Sequence, residues 1–117
     1  MAKLKDIVNC DYSDRKSKQL IQEKLMELPF FAKYEDIEDV KFDQLEAAMM
    51  KLMRKFPILL SYILFNNMNE PHFYSVMIKE TEQNQHVITI YAKTLREAFE
   101  KSLLYSYHYC KKRYMEG

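Results

Sequence analysis

The side chains best suited to bind a metal or attack a substrate are few: His72, His86 and His108, with the thiols of Cys10 and Cys110. Metal ligands must converge on one point. With a chain reversal near Asn84, His72 and His86 stand at opposite ends of a hairpin, about 20 Å apart at about 3.3 Å per residue. His108 and Cys110 are two positions apart, so on a helix they face different ways. Neither thiol then has an imidazole base within hydrogen-bond reach. None of the serines (Ser13, Ser17, Ser61, Ser75, Ser102, Ser106) sits in the G-x-S-x-G setting of an activated nucleophile. Carboxylates gather from Glu35 to Glu46, where they precede and open a helix. The helix dipole accounts for them there without catalysis, and docking of a basic partner is the functional use left to them. The lone glycine, Gly117, leaves no glycine-rich loop to cradle a phosphate. The expectation is a protein that is not an enzyme, with no catalytic residues, no metal and no cofactor.

Function must then come from contact, and composition limits the partners. The 117 residues suit a single domain, 1–117, with 1–13 a less regular N-terminal segment. Apolar residues at 48% and charged residues at 30% indicate a globular chain. Lys and Arg number 18 against 17 Asp and Glu, so the chain neither coats a duplex nor mimics one. Two distant cysteines without a C-x-x-C pair are expected to be free thiols in a reducing cytosol. The charged start, Met1 to Asp6, does not read as a signal peptide, and Phe56 to Phe65 is too short to cross a bilayer. A cytoplasmic protein with no membrane partner is expected.

The pattern predicts the element order α-α-β-β-β-α. Ser13 or Asp14 caps a helix with Ile21, Leu25 and Leu28 on one face, stopped by Pro29. Phe30, Phe31 and Tyr34 follow as an aromatic plug. Asp43 to Glu46 fits a capping box for a helix with Leu45, Met49, Leu52, Met53 and Phe56 in one stripe, ended by Pro57. Ile58 to Phe65 reads as a strand with both faces apolar, so it should be covered from both sides. Phe73 to Lys79 and Val87 to Ala92 are the next strands, joined through a polar tip at Gln83 to Gln85. Thr94 to Glu97 is a second capping box, opening a helix from Leu95 to about Lys112. The fold class is therefore α+β, a three-stranded antiparallel meander packed between helices.

On a wheel of the last helix, Leu95, Ala98, Phe99, Ser102, Ser106, Tyr109 and Cys110 share a side. Ala98, Ser102 and Ser106 form a small row that lets the helix lie close to the sheet. Leu104, Tyr107, Lys111 and Tyr114 project elsewhere and are the expected partner-binding residues. Cover by the first helix, or by a second copy in a homodimer through the last helix, is the alternative. The segment after residue 42 resembles the topology of double-stranded-RNA-binding domains. In those, lysines at the start of the last helix grip phosphates, but here Glu97 and Glu100 stand among Lys93, Arg96 and Lys101. A better basic patch is Lys3, Lys5, Arg15, Lys16 and Lys18, diluted by Asp6, Asp11 and Asp14. Met49, Met50, Met53 and Met68 are expected to fill the core.

Ala92, Thr94, Ala98 and Leu103, together with an opening helix containing Ile21 to Met26, resemble the phage ABA-sandwich family. Members are small proteins of tailed phages and prophages without a common catalytic site. The sequence departs from the family in lacking its tryptophans and glycines. The resemblance implies a phage accessory protein working inside an infected bacterium. It would act by binding a host protein, inhibiting a defence system such as a CRISPR nuclease. Nucleic-acid binding, or capture of a small signalling nucleotide in a pocket between protomers, are the alternatives.

Overall fold

The computed structural model describes residues 8–10, 12–64 and 74–115, with residues 62–64 described by backbone alone. Asp14 starts the first helix: its carboxylate accepts from the Lys16 N–H at 3.2 Å and the Ser17 hydroxyl at 2.7 Å. Helix α1 runs Arg15–Met26, and Pro29 then opens a short 3-10 turn, Pro29–Phe31. Ile21, Leu25, Leu28 and Phe31 are all buried.

Helix α2, Phe42–Lys55, starts two residues earlier than the Asp43 cap implies. Its N-cap is Lys41, whose N–H donates to Gln44 Oε1 at 3.0 Å. Only that half of a capping box forms, because a lysine side chain has no acceptor to return. Leu45, Met49 and Leu52 are buried along the anticipated stripe, while Met50 is exposed and not core filling. Met53 is half-buried, and Met68 lies outside the described residues.

Strands β1 (Ile58–Leu64), β2 (Tyr74–Glu80) and β3 (Gln85–Ala92) form an antiparallel sheet in the order β1-β2-β3. The β2–β3 reversal occupies Thr81 to Asn84, and Asn84 takes φ 50°, a left-handed setting that asparagine tolerates. A register shift follows between Ile78 and Lys79. Phe65, placed at the end of β1 by sequence, and the turn from Asn66 to Pro71 lie outside the described residues.

Thr94 caps helix α3, Leu95–Cys110, its hydroxyl accepting from the Glu97 N–H at 3.1 Å. The chain continues as a π-helical turn, Lys111–Met115. The observed class and order, α+β and α-α-β-β-β-α, are those the pattern predicts.

Among the described residues, the helices gather around α3. Helix α3 lies against β2 and β3 and is also packed by α1 and α2. Ile58, Leu60, Val76, Ile78, Ile88, Ile90 and Ala92 bury one face of the sheet. On the other, Leu59 and Tyr91 are each 46% exposed, and Ser61 is exposed. No described helix covers that face. The reason is that α3 is central: α1 and α2 bury their stripes on it and do not cross to the far side of the sheet.

Candidate interaction surface

Helix α3 is buried almost all round, and its polar residues are enclosed with it. Glu97, Glu100 and Lys101 are each buried. A buried charge is tolerated only when paired and hydrogen-bonded. Lys101 Nζ meets Glu97 Oε2 at 2.8 Å and also donates to the carbonyls of Cys10 and Tyr91. Glu100 accepts from the Tyr12 hydroxyl at 2.6 Å, Gln22 Nε2 at 3.2 Å and Arg96 Nε at 2.9 Å. Arg96 Nη2 in turn donates to the carbonyls of Ile37 at 3.1 Å and Val40 at 2.7 Å. Burial, then the adjacent Glu100, pushes the Tyr12 phenol far above its ordinary value. These contacts fasten the segment around Cys10 and Tyr12, the end of β3 and the loop before α2 onto one helix. They are positioning interactions, already satisfied within the chain.

The other end of α3 has a similar clamp. Glu80, buried at the end of β2, accepts from Tyr114 at 2.6 Å and from Arg113 Nε at 3.0 Å. Those bonds hold its carboxyl below the ordinary carboxylate value. Burial, with Glu80 nearby, pushes the Cys110 thiol up to about 12, far from thiolate reactivity. Cys10 and Cys110 are both free thiols.

The expected partner-binding residues do not make one surface. Leu104 is 0% exposed, which corrects its outward placement: a helix packed by α1, α2 and the sheet has no bare side there. Tyr107 is half-buried, its ring edge-on to Phe30 at 5.9 Å. Tyr114 is half-buried, stacked on Phe56 at 5.6 Å and bound to Glu80. Lys111 is exposed. Burial of Leu104 and the ring contacts of Tyr107 and Tyr114 thus follow the alternative of packing within the chain. The lysine cluster at the start of α3 is likewise internal at Lys101, while Lys93 is exposed.

The outer face of the sheet is exposed at Leu59, Ser61 and Tyr91, half-buried at Met77 and Lys79, and buried at Ser75. Register places Leu59 beside Lys79, Ser61 beside Met77 and Met77 beside Thr89. Ser75 pairs with Tyr91, and Lys79 with His86. Leu59, Met77 and Tyr91 therefore form an oblique apolar stripe, one residue from each strand. One flank carries Lys79, His86 and Thr89, with His86 Nε2 and Thr89 Oγ1 2.8 Å apart. The other carries Ser61, which is exposed, and Ser75, which is buried. The signal was present in the two apolar faces of β1; what sequence lacked was which face the helices would take.

Shallow clefts also mark the described surface. One of about 590 Å³ runs between α1 and the acidic segment, with Arg15 and Lys18 facing Glu35 and Asp36. Another, of about 410 Å³, lies between α3 and the start of β3, beside Glu80, Tyr109 and Arg113. Each is lined by charges of both signs. Among the described residues, no three His, Cys, Asp or Glu side chains gather as a metal set. His72 lies outside those residues, so its predicted distance from His86 does too. No described helix is long and apolar enough to cross a membrane. Comparison with protein-family models, curated proteins and solved structures yields no match.

Proposed function

We propose that this chain is a non-enzymatic phage accessory protein that binds a host protein through the exposed residues on the outer face of its sheet. The observation that carries this reading is the Leu59–Met77–Tyr91 stripe, with Leu59 and Tyr91 each 46% exposed beside a core that uses its charges internally. Partly exposed apolar and aromatic side chains on a sheet are the kind of anchor that dominates protein interfaces. The phage setting rests on the resemblance carried by Ala92, Thr94, Ala98 and Leu103, and it makes a bacterial defence nuclease, such as a CRISPR effector, the target class.

The test is capture from a bacterial lysate by the tagged full chain, with and without nuclease treatment. Wild type should retain a protein after nuclease treatment. The double variant Leu59→Ser/Tyr91→Ser should lose it by about tenfold or more while keeping its far-UV spectrum. A partner that disappears with nuclease and steeply with salt would assign the face to nucleic acid instead. Undiminished capture by the double variant would remove the sheet face from the reading.

A further inference from the structure

Strand β3 ends the sheet, and a cleft runs between its start and α3. We infer that this edge and cleft take a short extended segment of another protein as an added strand. The segment would turn an apolar side chain toward Tyr105 and Tyr109 and a carboxylate toward Arg113. This goes beyond the outer-face reading and does not depend on it.

The bonding parity of the sheet identifies the main-chain groups left over. The Thr81 N–H donates to the Pro57 carbonyl at 2.9 Å, while the Leu60 N–H turns away from β2 to Met53 Sδ at 3.4 Å. In an antiparallel ladder bonded and non-bonded pairs alternate. Leu59 and Ser61 therefore bond to Lys79 and Met77, which leaves Val76 and Ile78 to bond to Ile90 and Ile88 of β3. Thr89, between those two, points its N–H and C=O out of the sheet. Tyr91 has the same parity, and Lys101 Nζ reaches its carbonyl at 3.4 Å. Val87 is passed over by the register, which pairs Ile78 with Ile88 and Lys79 with His86. It is the extra residue of a bulge, unpaired in the ladder. Among the described residues, no main-chain group bonds to Val87 or Thr89 from beyond the edge.

A wall stands beside that edge. The cleft of about 410 Å³ is lined by Val87 from β3 and by Tyr105, Tyr109 and Arg113 from α3. The two tyrosine rings lie 6.5 Å apart and 14° from parallel, and both are half-buried. In strand addition the main chain supplies affinity, and pockets for alternate side chains supply specificity. Arg113 spends Nε on Glu80 Oε1, and its side chain is 49% exposed. A guanidinium keeps further N–H donors on its other nitrogens, suited to a carboxylate.

The available edge is short. Lys101 occupies it at Tyr91, and the bulge interrupts it at Val87, about 13 Å away at about 3.3 Å per residue. Bulges guard edges against long continuous pairing. The eight-residue β3 of a second copy would meet both interruptions, whereas a short segment fits between them.

The experiment selects binders to the folded full chain from displayed random eight-residue peptides and titrates the best, made synthetically, into the ¹⁵N-labelled chain. The peptide should shift the amides of Val87, Thr89, Tyr105 and Tyr109. N-methylation of one alternate set of its residues should weaken it about tenfold, and of the other set little. Thr89→Pro removes an outward N–H and no ladder bond, so it should keep the far-UV spectrum and bind about tenfold more weakly. Arg113→Gln should abolish the advantage of the acidic peptide over its glutamine counterpart. Selection of no peptide, shifts centred on Leu59 and Met77, or equal effects of both N-methyl sets would overturn the proposal. A wild-type dimer that Thr89→Pro dissociates would overturn it in favour of self-association. If Thr89→Pro fails to fold, the N-methyl series decides alone.

Discussion

Truncation of Leu104 would empty a site with no access to solvent, so Leu104→Ala should destabilise the chain by about 2–5 kcal/mol. Urea denaturation measures it, and an unchanged midpoint would contradict the enclosure of α3. This residue also marks where sequence reading stops. A helical wheel ranks sides by apolar content, and it assumes that one side faces water. Helix α3 breaks that assumption, because Glu97, Glu100 and Lys101 are inside with it. Their spacing, Arg96 to Glu100 and Glu97 to Lys101, was a readable clue to ion pairs. What could not be read was burial, since the same pairs decorate exposed helices. The partners Tyr12 and Gln22, 88 and 78 residues away from Glu100, were not readable either.

The π-helical turn after α3 depends on one carboxylate. Glu80 accepts from both Tyr114 and Arg113, and these bonds lower its pKa from the ordinary 4.5. A lowered carboxylate pKa stabilises the folded state fully above the unfolded value and loses that effect as pH falls through the folded value. Amide protection at residues 111–115, the exchange rate taken relative to its intrinsic value at each pH, should therefore be high above about pH 5 and fall as the solution is acidified below 4.5. Glu80→Gln should show the low protection already at neutral pH, and wild-type protection that does not change with pH would refute the clamp. Most element boundaries were legible because their causes are local: Asp14 and Thr94 as caps, Pro29 and Pro57 as stops, the stripe of α2. Asp43 misled because its type fits a cap while the helix extends two residues further back to its cap at Lys41. The covered side of the sheet is not a local property, and the two apolar faces of β1 leave it open.

Across the molecule, α1, α2, β2 and β3 meet on α3, and no second core is present among the described residues. Unfolding should accordingly be one cooperative event. Far-UV circular dichroism and tyrosine emission, the latter usable because the chain has nine tyrosines and no tryptophan, should report the same midpoint. Separate midpoints would mean that the sheet and the helices melt independently. The helix that organises the core also follows every described strand and the described helices α1 and α2. On the ribosome, the meander and the first two helices emerge with nothing to close upon, their apolar stripes bare until residues 95–110 arrive. A transcript cut short before that point would yield a product with no nucleus to collapse around, and the cell would meet it as a substrate for chaperones and proteases.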